Sequence, residues 1–166
     1  MFARDALLVA QNILGCYLVR RFDDGKVEKR IITEVEAYGG IEDKASHARF
    51  GKTKRNSVMW ESPGLIYIYL VYGMHWMFNV VTGKIGEPQA VLVRSVDGIK
   101  GPGRVGRWLM LDKSFYGEDS VLSKRIWFEE GGGVCGKIIK FPRIGVDYAK
   151  EWAKKQWRFT LIFDER

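Results

Sequence analysis

Two runs of alternating side chains, Leu65 to Tyr72 and Trp76 to Thr82, are joined across Gly73. Successive side chains of an extended chain point to opposite faces, so Tyr67 and Tyr69 share one side and Ile66, Ile68 and Leu70 the other. Gly73 permits the positive φ of a tight turn, which predicts an antiparallel hairpin with Tyr72 near its tip. The aromatic face of such a hairpin is usually core. A large aromatic at the tip is not explained that way, because it is exposed unless it contacts something from outside the chain.

The rest of the chain reads as a mixture of elements. Apolar residues at 7, 8, 10, 13 and 14 predict a helix over Ala6 to Leu14, ended by Gly15. Cys16 to Phe22 and Lys29 to Tyr38 read as a strand hairpin around the turn Asp23-Asp24-Gly25. Ala90 to Ser95 adds a buried strand, Arg104 to Leu111 a short helix, and Asp147 to Lys154 a late helix capped by Asp147. Gly131 to Gly133 read as an exposed loop. With no internal repeat, the 166 residues suit one domain, 1–166, of the α+β class.

Composition excludes several classes. A 46% hydrophobic content with four prolines argues against disorder. No run of about 18 uncharged apolar residues is present and the amino terminus lacks a secretory pattern, so a soluble, cytoplasmic protein is expected. Cys16 and Cys135 stand far apart, which suits a reducing compartment, and two histidines offer too few ligands for a structural zinc site. A net charge of +7 suits a polyanionic partner. Lys44, Arg49, Lys52, Lys54 and Arg55 run without an acidic residue between them, and Arg94, Lys100, Arg104 and Arg107 face only Asp97.

These basic stretches flank the residues with chemical potential. Glu34, Glu36 and Tyr38 share one face of their strand, where two carboxylates can perturb each other. His47 follows Ser46 in the basic loop, where it can stack on a base or donate to its edge. A carboxylate beside aromatics and cations suits an enzyme that holds a flat heteroaromatic ring next to an activated water. Tyr72 suits a wedge that fills the gap left by an extruded nucleotide. Gly101-Pro102-Gly103-Arg104 ahead of a helix can offer backbone N–H groups to a phosphate, a weak signal by itself.

Glu36-Ala37-Tyr38, Ala45-Ser46-His47, Arg55-Asn56, Tyr67 to Met74, Asn79-Val80 and Ala90 to Arg94 together resemble the alkyladenine (3-methyladenine, or methylpurine) DNA glycosylases. The resemblance continues through Gly101 to Arg104 and Arg143 to Val146 to Glu151-Trp152-Ala153 and Trp157-Arg158-Phe159. It implies a curved antiparallel sheet with surrounding helices and a hairpin inserted into the DNA minor groove. It also implies hydrolysis of the N-glycosidic bond of a damaged purine such as 3-methyladenine, 7-methylguanine, hypoxanthine or ethenoadenine, with no metal or organic cofactor. Glu36 resembles the general base, and Arg94 the arginine beside the water and a phosphate. Tyr38, His47 and Tyr69 look like the walls against the flipped base, with the His47 backbone N–H also reading the base edge, and Asn79 like the residue that obstructs the amino group of guanine. Tyr72 resembles the intercalating residue, with Gly73, Met74, Arg55 and Arg104 beside it at the DNA. His75 and Trp60 stand where other members often carry Tyr and Phe.

Three other readings remain open on the residues alone. Glu34, Glu36, Asp43 and His47 are a conceivable divalent-metal set for a nuclease. Gly101 to Gly106 hint at a helix-hairpin-helix glycosylase, although the strand-rich sequence fits that fold badly. The tyrosines and cations also suit a non-enzymatic single-strand binder. The expected partner is duplex DNA carrying damaged purines, met by a monomer with no obligate protein partner and no membrane.

Overall fold

The computed structural model describes residues 1–131 and 136–163. The first helix, α1 (Ala6–Ile13), starts where the Asp5 side chain accepts the Leu7 N–H, and it buries Ala6, Val9, Ala10 and Ile13. Strands β1 (Tyr17–Arg21) and β2 (Val27–Tyr38) form the expected hairpin. Next come β3 (Ile66–Val71), β4 (His75–Thr82), β5 (Gln89–Val96), the short β6 (Ile99–Lys100) and the helix α2 (Pro102–Trp108). The chain ends with β7 (Ile126–Glu129), β8 (Gly136–Phe141) and β9 (Arg158–Phe163). Short 3-10 turns lie at His47–Phe50, Ser57–Trp60, Lys113–Phe115 and Asp147–Lys154.

All the strands belong to one curved antiparallel sheet with the order β3-β4-β5-β2-β1-β7. β9 joins β2 beyond the end of β1, and β8 pairs with β9. The architecture is α+β, as the mixed elements imply. β2 is the spine: its first half pairs with β1, its second half with β5 on one edge and β9 on the other. A register shift against β5 at Glu34 breaks the simple alternation, so Ile32, Val35 and Ala37 all face the same core.

That core lies between the sheet and the two helices and includes Ile66, Ile68, Phe78, Val80, Val91, Val93 and Phe159. α2 approaches β4 so closely that a Cβ on Gly106 would collide with the Trp76 carbonyl oxygen. The other face carries a smaller cluster of Ala48, Val58, Met59, Tyr67, Val81 and Ala90. The helix-free face is therefore the one available for a site.

Several sequence expectations need correction. The late segment Asp147–Lys154 is not one regular helix but 3-10 turns broken at Lys150, whose φ is +54°. Its cap is Val146, without a side-chain bond, rather than Asp147. α2 begins at Pro102 and ends at Trp108, so it lies earlier than Arg104 to Leu111. β7, β8 and β9 carry no sequence assignment above. Gly131 lies so close to the Gly15 carbonyl that a Cβ there would collide with it. The rest of that glycine run and Cys135 lie outside the described residues. Among the described residues no helix is long and apolar enough to cross a membrane.

Candidate active site

The sheet register brings distant parts of the sequence into one line. Glu36 on β2 stands opposite Leu92 on β5, Leu92 opposite Asn79 on β4, and Asn79 opposite Tyr67 on β3. Cross-strand partners share a face of the sheet, so these four side chains form a row. The row lines a cavity of about 240 Å³ on the helix-free face. Tyr38, His47, Tyr69, Tyr72 and Arg94 also line it. A volume below the roughly 300–1,000 Å³ of drug-sized pockets suits a single ring system.

Glu36 is fully buried, and donors surround its carboxylate. The Tyr38 hydroxyl donates to Oε2 at 2.8 Å and the Ile144 backbone N–H to Oε1 at 2.8 Å. Arg94 Nη1 lies 3.3 Å from Oε1, while its Nε lies 3.6 Å from Glu34 Oε1. Glu34 also accepts from Arg158 Nη1 at 2.7 Å and from Ser95 Oγ at 2.8 Å. Two carboxylates and two guanidinium groups thus balance in charge, which is how buried ions are tolerated.

The wall over this row is the chain between β2 and the turn at His47–Phe50. Asp43, fully buried, accepts the N–H groups of Gly39 and Ala45 and takes both forks of Arg143, at 2.5 and 2.8 Å. Arg143 also donates to the Ala37 carbonyl at 2.9 Å, and its guanidinium lies 4.8 Å from the centre of the Tyr38 ring. Burial, followed by the Glu36 charge, pushes the Tyr38 hydroxyl well above its ordinary pKa, so it stays a donor.

His47 and Tyr69 line the same cavity as Tyr38, their rings edge to face at 4.6 Å. His47 Nδ1 is 2.8 Å from the Tyr67 hydroxyl. Burial, with Arg55 and Arg49 adding to it, lowers the His47 pKa to about 4, so the ring is neutral near pH 7. Burial and the Glu36 charge push Tyr69 up to about 12. The Asn79 amide donates to the carbonyls of Tyr67 at 3.0 Å and Met77 at 3.4 Å. Both bonds use Nδ2, and Oδ1 accepts no hydrogen bond from the protein among the described residues.

The rim carries exposed groups. Tyr72 is 89% exposed and Met74 68% exposed at the tip of the β3–β4 hairpin. Tyr72 and Gly73 both have positive φ, +52° and +67°, as in a type I′ turn. The Arg55 guanidinium lies 5.5 Å from the centre of the Tyr69 ring. Arg104 sits in the first turn of α2, outside the cavity lining. His75 and Trp60 do not line the cavity either: His75 backs onto Gly103, and Trp60 packs on the Tyr67 cluster.

The family model for methylpurine-DNA glycosylases matches residues 1–164. The chain belongs to the methylpurine-DNA glycosylase family. A relative from Desulfitobacterium hafniense (strain Y51) is 40% identical over 96% of this chain and 92% of its own length. One from Legionella pneumophila (strain Corby) is 42% identical over 96% of this chain and 91% of its own. Each carries the name "Putative 3-methyladenine DNA glycosylase". As a member of this family the chain is a DNA glycosylase, hydrolysing N-glycosyl bonds in base excision repair.

The cavity and its supporting wall also involve residues to which the sequence assigns no role. Arg143 holds the wall, Ile144 holds Glu36 through a backbone N–H, and Tyr148 lines the mouth while donating to the Ala45 carbonyl at 3.2 Å. A backbone donor has no sequence signature; Arg143 at least stands out as an arginine in an otherwise apolar segment. The conceivable metal set does not assemble: Asp43 is bound by Arg143, His47 faces Tyr67, and no group of three metal-ligating residues occurs among the described residues.

Proposed function

We propose that the cavity receives a damaged purine nucleotide swung out of duplex DNA, and that Glu36 activates the water that cleaves its N-glycosidic bond. The observation that carries this reading is a fully buried carboxylate at the wall of an aromatic cavity, beside a hairpin that ends in an exposed tyrosine. In this reading the base lies between Tyr38 and the His47–Tyr69 pair. Glu36 takes a proton from a water whose oxygen attacks the sugar C1′. The bond from C1′ to the base nitrogen breaks, its electron pair leaves with the base, and an abasic site remains. Arg94 sits beside Glu36 and orients the water or an adjacent phosphate. The reaction uses side chains alone, without a metal or organic cofactor.

Selection is shared between DNA and protein. Extruding a nucleotide costs a few kcal/mol, least where pairing is already weak. Cationic alkylated purines such as 3-methyladenine or 7-methylguanine gain about 0.5–2 kcal/mol from each aromatic wall by cation–π attraction. Neutral lesions such as hypoxanthine and ethenoadenine gain less. Asn79 borders the floor, where it obstructs the amino group of normal guanine. Tyr72 fills the gap in the base stack, with Gly73 and Met74 at the minor groove and Arg55 and Arg104 at phosphates. In this reading the protein acts as a monomer in the cytoplasm, on duplex DNA carrying damaged purines and without an obligate protein partner.

The test separates chemistry from binding. Glu36→Gln keeps the side-chain shape and removes the base: lesion-duplex binding persists while single-turnover release falls by at least about 10²-fold, the scale of general-base catalysis. Undiminished turnover in this variant assigns the base to another group.

A further inference from the structure

Neutral lesions pose a problem that cationic ones do not. A cationic base leaves as a neutral molecule, whereas a neutral purine leaves with developing negative charge that needs a hydrogen-bond donor. The wall of the cavity contains a candidate.

The Tyr67 hydroxyl is buried, and His47 Nδ1, 2.8 Å away, is its only hydrogen-bond partner among the described residues. A buried hydroxyl hydrogen left without an acceptor is rare in proteins. This favours a donating phenol and an accepting Nδ1. A neutral imidazole carries one N–H, which then resides on Nε2. Nε2 makes no hydrogen bond to the protein among the described residues, and it is absent from the buried side-chain atoms that lack a partner, so it is open to its surroundings. The ring lines the cavity. The charged groups around it are the cations Arg49 and Arg55, and its other neighbours are the uncharged phenols Tyr67 and Tyr69.

We infer that His47 is locked by Tyr67 as a neutral Nε2–H donor and stabilises the charge that develops on a neutral leaving purine. The hydrogen stays on Nε2 throughout; it is shared in a hydrogen bond to an acceptor atom of the departing base and is not transferred. A neutral imidazole acting as an electrophile of this kind has precedent in triosephosphate isomerase. The inference rests on the base-excision reading and adds a division of labour to it. The aromatic walls serve cationic lesions, and His47 serves neutral ones.

Two readouts test it, one independent of activity. Long-range ¹H–¹⁵N correlation spectra at pH 7 report the tautomer of each imidazole, and His75→Gln assigns the two rings. The expected result is a neutral His47 protonated on Nε2, with Tyr67→Phe releasing it to a mixture of tautomers. A proton on Nδ1 overturns the inference. Single-turnover release from matched duplexes then compares hypoxanthine with 7-methylguanine. His47→Phe keeps a wall but removes the donor, and it lowers the hypoxanthine-to-7-methylguanine ratio by about tenfold or more, the worth of one hydrogen bond to a charged group. Tyr67→Phe lowers the ratio less. Tyr69→Phe, which removes the hydroxyl of the ring packed against His47, changes the two rates together. An unchanged ratio in His47→Phe, or a fall confined to Tyr69→Phe, overturns the role of His47. Absence of any release by the wild-type protein overturns the excision reading itself, and the leaving-group role with it, whatever the tautomer.

Discussion

Arg143 and Arg94 each face a buried carboxylate, and their surroundings separate their roles. Arg143 is sealed against Asp43 and stacked over Tyr38 and Trp157, so it fixes the wall. Arg143→Met leaves Asp43 buried without its counter-ion; urea denaturation should show a loss of about 3–5 kcal/mol. Arg94 divides itself between Glu34 and Glu36 on the cavity side. His47 carries a pH signature. Its pKa is about 4 in the folded protein against 6.5 for the free side chain, so the unfolded chain binds the proton first. Stability should therefore fall as pH drops from about 6.5 to about 4, and His47→Phe should flatten that slope in denaturation curves. Part of the cavity lining was legible: Glu36 and Tyr38 stand out at fixed strand parity, whereas Tyr69 shared the core reading of its strand and, like Arg94, was singled out by the family resemblance. Tyr67 read equally as core, and the Ile144 N–H was invisible because every residue but proline has one.

At the scale of elements, the hairpin tip combines strain with exposure. An L-residue at positive φ costs about 1–2 kcal/mol, and Tyr72 takes that conformation with its ring in solvent. Tyr72→Gly should relieve the strain and raise stability by up to about 1 kcal/mol in denaturant titrations, while binding to lesion duplexes weakens. Tyr72→Ala should weaken binding to a paired lesion more than to one already extruded opposite a gap; equal losses would remove the wedge role. The positive φ of Gly73 was readable from its identity, whereas that of Tyr72 was not. β8 escaped notice because its residues are mostly exposed and show no buried alternation. The register shift at Glu34 escaped because pairing with β5 produces it, not local sequence. The Lys150 break hid in a segment whose polar and apolar spacing suits a continuous helix.

The whole molecule separates its two faces. Helices cover one side of the sheet and seal the core, and the other side holds the cavity, the hairpin tip and much of the basic loop. With a net charge of +7, DNA affinity should fall linearly in log–log plots against salt, with a slope of about −0.9 per phosphate contacted. Arg55→Ala and Arg104→Ala should each make that slope shallower by about 1, measured by anisotropy titration. Sequence alone conveyed this charge and the α+β class. It could not convey that β2, β5, β4 and β3 align Glu36 with Tyr67, because register across four strands is a property of the folded sheet. The most direct test of the account is single-turnover incubation in EDTA with duplexes carrying 7-methylguanine or hypoxanthine, followed by chromatography of the released base and alkaline cleavage of the strand. The account predicts free base in step with alkali-labile sites and no strand scission before alkali. Tight binding with no base released, or release that EDTA abolishes, would contradict it.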